Sequence, residues 1–191
     1  MSLTSTSKVS IRLKSGGHSF SEREREMLRG ATSGVEVCVI TAKTTLIPQE
    51  YYDSNLKSDY LASMGLTPSA TEIAVESNPQ GGMIAVMAIE REIIESLKDI
   101  TSDVSFTTPL LDEAIEQGTI IELSDNVAFI RVYSDGLRFA EAVAIDSDAD
   151  LSYIVERLND SYGIYNMYAR AKGDVERVYR ICKGCFKDLT K

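Results

Sequence analysis

SIRLKSGGHSF (residues 10–20) and FIRVYSDGLRF (residues 129–139) decide how this chain is read. With Ile11 set on Ile130, five positions are identical: Ile11/Ile130, Arg12/Arg131, Ser15/Ser134, Gly17/Gly136 and Phe20/Phe139. Leu13 and Val132 agree in kind. Val9, Ile11 and Leu13 alternate with polar residues, which is the period of a strand. Gly16-Gly17 and Asp135-Gly136 are hairpin signals, because such turns need positive φ. The match predicts one hairpin used twice, over residues 8–25 and 127–145.

Working outward, residues 21–28 carry two signals. Ser21 with Glu24 forms a capping-box pattern, and EREREM favours helix by propensity. The internal match favours a strand over residues 17–24, and the strand reading is adopted. VEVCVIT (35–41) reads as the next strand. A helical face follows, carrying Leu56, Tyr60, Leu61 and Met64, stopped by Gly65 and Pro68. Residues 72–76 and 83–89 read as strands around NPQGG. Residues 90–100 place Ile93, Ile94, Leu97 and Ile100 at helical spacing. Thr108 caps a predicted helix with Pro109 at its first position and Leu111, Ala114 and Ile115 inside.

The second half restarts at Thr119. TIIEL, NVAFIRVY and GLRFAEAVAI form a meander joined by Asp125-Asn126 and Asp135-Gly136. Asp150 caps a predicted helix carrying Leu151, Ile154, Val155 and Leu158, ended by Gly163. Residues 164–169 read as a short strand. A last helix starts at Asp174 and places Val175, Val178, Cys182 and Leu189 on its core side. The division expected is a tail over 1–7, a first lobe over 8–118 and a second over 119–191.

Composition narrows the tasks. A net charge of −9 over 191 residues repels phosphate backbones and anionic membrane surfaces, so nucleic acid is not an expected partner. Residues 1–8 lack an apolar signal-peptide core, and the longest apolar run, 83–89, is too short to span a membrane. A soluble cytoplasmic protein is expected. Three cysteines imply no disulfide framework.

IRLKSGGHSFS, TTLIPQEYYD, DGLRFAEAVAID and DLSYIVERLNDSYGI, in that order, resemble an uncharacterised bacterial family with a degenerate actin-like fold. The wider superfamily contains sugar kinases and chaperone ATPases. The resemblance implies an α/β chain of mixed sheets and helices, a minimal actin-like ATPase fold of two duplicated ribonuclease H-like halves. Each half of an active member opens with a hairpin whose turn holds phosphate, and a carboxylate in the first turn positions magnesium and water. The family has no established activity to transfer.

The resemblance also picks out a remnant nucleotide cleft: Lys14, Ser15, Gly16 and Gly17 in the first turn, Ser134, Asp135 and Gly136 in the second, and Gly173 with Asp174 in the adenosine segment. Lys14 and Ser15 stand where the first turn needs a carboxylate. Asp-Gly is also the commonest hairpin turn. The adenosine segment has one Gly where a pair is usual. No cofactor is therefore expected, neither ATP nor magnesium. A non-catalytic scaffold that binds another protein is the preferred reading. The alternative is a nucleotide-binding ATPase with altered phosphate motifs.

CKGC (182–185) invites a thiol or metal role. Such a pair works at a helix N-terminus, where the dipole lowers the thiol pKa; this one sits at a helix end. Zinc needs four ligands, and only Cys38 and His18 remain, so no metal is expected. His18, the single histidine, has no partner at catalytic spacing.

Overall fold

The computed structural model describes residues 9–14, 20–31 and 34–191. They form two compact units, divided between Thr108 and Pro109.

In the first unit, β1 (Val9–Lys14) pairs in parallel with β2 (Val35–Ile40), Val9 against Val35 through Lys14 against Ile40. Parallel neighbours need a crossover, and α1 (Glu22–Arg29) provides it. The strand expected over residues 17–24 is therefore corrected over its described part, 20–24: Ser21 is a helix N-cap and its capping box with Glu24 is formed. Local propensity was the sounder signal, and Leu28 anchors the helix at zero exposure. The described part of residues 8–25 is a strand paired in parallel and the start of a helix, unlike the β8–β9 hairpin, so the five-position match does not mark a repeat. Ser15, Gly16, Gly17 and His18 lie outside the described residues.

β2 is central. Its other edge pairs in parallel with β6 (Val104–Thr107), and Val35, Val37, Cys38, Val39 and Ile40 are all buried. Such a continuous apolar run suits a strand covered on both faces. A second sheet of three antiparallel strands runs β3-β5-β4, from β3 (Thr44–Pro48), β4 (Glu72–Glu76) and β5 (Met83–Glu90). α2 (Lys57–Ser63) lays Leu61 against Val86 and Ala88. Met64, expected on that face, is exposed, as is Leu56. The helix ends before Met64, and Leu66 turns back, its N–H on the Leu61 carbonyl, to take the place. α3 (Arg91–Ile100) buries Ile93, Ile94 and Leu97 as its periodicity predicts. One isolated parallel bridge, Ser77 to Phe106, ties the end of β4 to β6.

The second unit opens with Pro109–Leu111, a buried 3₁₀ turn packed on β8 and β9, where a longer helix was expected. Ala114 and Ile115 lie in the connection that follows. The meander is as read: β7 (Gln117–Ser124), β8 (Val127–Ser134) and β9 (Leu137–Ala144), antiparallel throughout. α4 (Asp148–Tyr162) is capped by Ser147, not Asp150; Asp150 is the box partner, accepting from the Ser147 N–H at 2.7 Å. Gly163 ends it at φ 64°. Residues 164–169 divide into a 3₁₀ turn, Ile164–Asn166, and the start of β10 (Tyr168–Gly173). α5 (Val175–Cys182) stops short of Leu189, which belongs to β11 (Asp188–Thr190).

The sheet order is β11-β10-β7-β8-β9, with β10 parallel to both β7 and β11. Counted within the unit, that order is 3-2-1-4-5 read from β9. α4 and α5 cover one face, packing Leu151, Val155, Leu158, Val178 and Cys182 on Ile121, Leu123, Ile130 and Val132.

Candidate functional site

The register of the second unit sorts the residues singled out from the sequence. Gly173 lies beside Leu123, at the end of β7 that turns through Asp125-Asn126 into β8. The Asp174 N–H donates to the Leu123 carbonyl at 2.7 Å, and the Ile145 N–H to the Asn126 carbonyl at 2.7 Å. The β7–β8 turn, the end of β10 and the starts of α4 and α5 therefore share one end of the sheet. Ser134, Asp135 and Gly136 form the β8–β9 turn at the other end, where Ser134 faces Gln117. Ala128, opposite Leu123, is six residues before Ser134, so the two ends are roughly 20 Å apart at strand rise. The structure does not bring Ser134, Asp135 and Gly136 together with Gly173 and Asp174. Asp125-Asn126, the β7–β8 turn, lies at the Gly173 end instead. Lys14 closes β1 with an exposed side chain.

At the Gly173 end Asp174 and Asp148 each have a structural task. Asp174 caps α5, accepting from the Arg177 N–H at 3.1 Å. Asp148 accepts from Arg177 Nε at 2.7 Å and from Arg180 Nη2 at 2.8 Å. Arg177, then Arg180, hold its carboxyl below the usual range. Gly173, at φ 70°, is there because a Cβ would stand 2.1 Å from the Leu123 oxygen.

The cysteines divide sharply. Cys182 is fully buried, and burial first, with Cys185 second, pushes its thiol up to about 12. Thiolate is the reactive form, so Cys182 is inert at neutral pH. Titration of native protein with an aromatic disulfide should modify Cys185, half-buried, well before Cys182. Equal rates would show that the α5 end opens readily.

Two groupings had no linear signal. Arg131 on β8 is fully buried, with Nη1 donating to the carbonyls of Asp112 at 2.7 Å and Glu113 at 3.3 Å. Among the described residues its Nε and Nη2 have no hydrogen-bond partner. In the first unit, a cleft of about 490 Å³ is lined by Tyr52, Lys57 and Glu76, with Ile84, Val104 and Phe106 as apolar wall. Tyr52 donates to Glu76 Oε2, and Lys57 Nζ lies 3.3 Å from the same oxygen. Burial, then the Glu76 hydrogen bond and the charges of Glu76 and Asp53, hold the Tyr52 phenol well above its usual pKa. Only Tyr52 lay in a stretch that the sequence marked, TTLIPQEYYD; Glu76 is 24 positions away.

Comparison with solved structures settles the fold. A crystal structure from Bacteroides thetaiotaomicron, described as a protein with actin-like ATPase fold and unknown function, superposes with a TM-score of 0.67. The alignment covers 83% of this chain and 68% of that one, at 11% identity.

The fold is actin-like.

At that identity the likeness carries architecture and no chemistry. The cytoplasmic domain of EpsL, an inner membrane component of the type II secretion system of Vibrio cholerae, aligns with a TM-score of 0.44 and 14% identity over 85% of this chain and 80% of that one. No family model and no curated protein matches the chain. Among the described residues no helix is long and apolar enough to cross a membrane.

Proposed function

We propose that this chain is a non-catalytic, protein-binding scaffold built on an actin-like fold, a pseudo-ATPase whose second unit is a ribonuclease H-like half. The observation that carries the proposal is the separation of Asp135 from Asp174 by the length of β8. Magnesium at a transferring phosphate is held by one or two carboxylates beside the phosphate turn. Here Asp174 is a helix cap and Asp148 is held by two arginines. Among the described residues no group of three or more His, Cys, Asp or Glu side chains is placed to hold a metal ion. Exposed Tyr51, Met64, Tyr153 and Tyr168 support a protein partner, since aromatic and Met side chains are enriched at interfaces.

Titration calorimetry with ATP and magnesium, alongside a phosphate-release assay, tests this. The expected result is no micromolar binding and no hydrolysis above background. Micromolar binding abolished by Asp125→Ala or Asp135→Ala would replace the scaffold reading with a nucleotide-binding one. A photo-crosslinker at Tyr51 or Tyr153 in the native host should then capture a defined protein partner.

A further inference from the structure

The cleft of the first unit has the size of a small-molecule site, about 490 Å³. One end carries opposite charges side by side, Lys57 and Glu76. The wall beyond them is apolar, from Ile84, Val104 and Phe106. Lys57 and Glu76 are 32% and 39% exposed, so a ligand can reach both. A pair this exposed gains little from itself and exchanges partners readily.

The third polar group is held in place. The Tyr52 ring stacks on Tyr60 with centroids 5.8 Å apart. The Tyr60 hydroxyl donates to the Tyr51 carbonyl at 3.0 Å and accepts from the Asp53 N–H at 2.9 Å. That clamps the loop and aims the Tyr52 hydroxyl at Glu76. With its pKa raised, the phenol remains a donor throughout the neutral range.

One cation, one anion and a fixed hydroxyl beside an apolar wall are the complement of a small zwitterion. We propose that this cleft binds a free α-amino acid with an apolar side chain. Its ammonium joins the Tyr52 hydroxyl on Glu76 in place of Lys57, its carboxylate takes Lys57, and its side chain lies on Ile84, Val104 and Phe106. A simple cation would leave Lys57 without a counter-charge, and a simple anion would do the same to Glu76. A bound ligand would take the pair out of water, and a charge then left without a partner is costly, so selectivity follows from charge balance. A nucleotide would place several negative charges against a single Lys, with Glu76 and Asp53 nearby. This site lies within the first unit and does not depend on the scaffold reading.

Calorimetry and thermal shift on the full chain test it with L-leucine, N-acetyl-L-leucine, L-leucinamide and the dipeptide Gly-Leu. L-leucine should bind, and a tenfold excess over its Kd should raise the midpoint by about 3 °C. Each blocked analogue loses one charge and should bind at least about tenfold more weakly. Lys57→Met and Glu76→Gln should each weaken leucine by a similar factor while far-ultraviolet circular dichroism stays unchanged. The analogues report on the wild-type chain, so a variant that misfolds does not stop the test. No leucine binding overturns the proposal. Equal binding of leucinamide shows a cation site, equal binding of N-acetyl-leucine an anion site, and tighter Gly-Leu a peptide-terminus site; each also overturns it.

Discussion

Gly173→Val should cost the protein about 4 kcal/mol or more and leave the β7–β10 joint open. The added Cβ would sit 2.1 Å from the Leu123 oxygen and 2.8 Å from its carbon, both backbone atoms that cannot step aside. At φ 70° the valine is strained even before that collision. The Leu123 carbonyl also accepts the Asp174 N–H that starts α5, so pushing it away uncouples strand and helix together. Gly118, on β7, meets β10 at the other end of the joint, its Cβ position 2.7 Å from the Tyr168 oxygen. Gly163→Ala is the control: φ is 64° with nothing within 4 Å, and the expected cost is only about 1 kcal/mol. Urea denaturation of the three proteins, with amide exchange read at residues 168–173, measures the contrast. A Gly173→Val protein within about 1 kcal/mol of wild type would sink the packing account and return Gly173 to the list of ligand-contacting positions.

That contrast shows what the linear sequence can hold. The meander from Gln117 to Ala144 was legible because its strands follow one another and Asp125-Asn126 and Asp135-Gly136 mark both turns. The box at Ser21 and Glu24 was equally legible, and the helix was lost only when a five-position match outweighed it. Five shared residues in a strand and a turn are cheap, since many strands offer Ile, Arg and Ser before a Gly. β6 left no signal: four residues, all half-buried, give periodicity nothing to work on. Nor does composition say that β1 and β2 are parallel, because that depends on what crosses between them. The site residues failed for a related reason. A turn motif carries no statement of which end of a sheet it occupies. Only the register placed Asp135 far from Asp174, and Tyr52 beside Glu76 and Lys57.

Lys43→Met should destabilise the first unit by about 3 kcal/mol, the second large effect. Glu72 begins β4 with a side chain only 6% exposed. Its Oε2 accepts from Lys43 Nζ at 2.5 Å and from the Ser69 N–H at 2.7 Å. Burial alone would raise the carboxyl; Lys43 and Ser69 outweigh it and hold it below its ordinary 4.5. The folded chain thus keeps Glu72 ionised at a pH where the unfolded chain has begun to protonate it. The stabilisation is complete at neutral pH, fades as pH falls below 4.5, and is gone once the folded carboxyl is protonated. Removing Lys43 leaves a buried charge with Ser69 as its remaining support, and the midpoint should fall by roughly 6–10 °C at pH 7. At acid pH the variant can protonate Glu72, so the gap to wild type must narrow. Lys43→Met/Glu72→Met should recover much of the loss, because an apolar pair strands no charge. A single variant within about 0.5 kcal/mol of wild type, or a gap that widens as pH falls, would mean that Glu72 is neutral in the folded protein and that Lys43 is only a surface cation beside it.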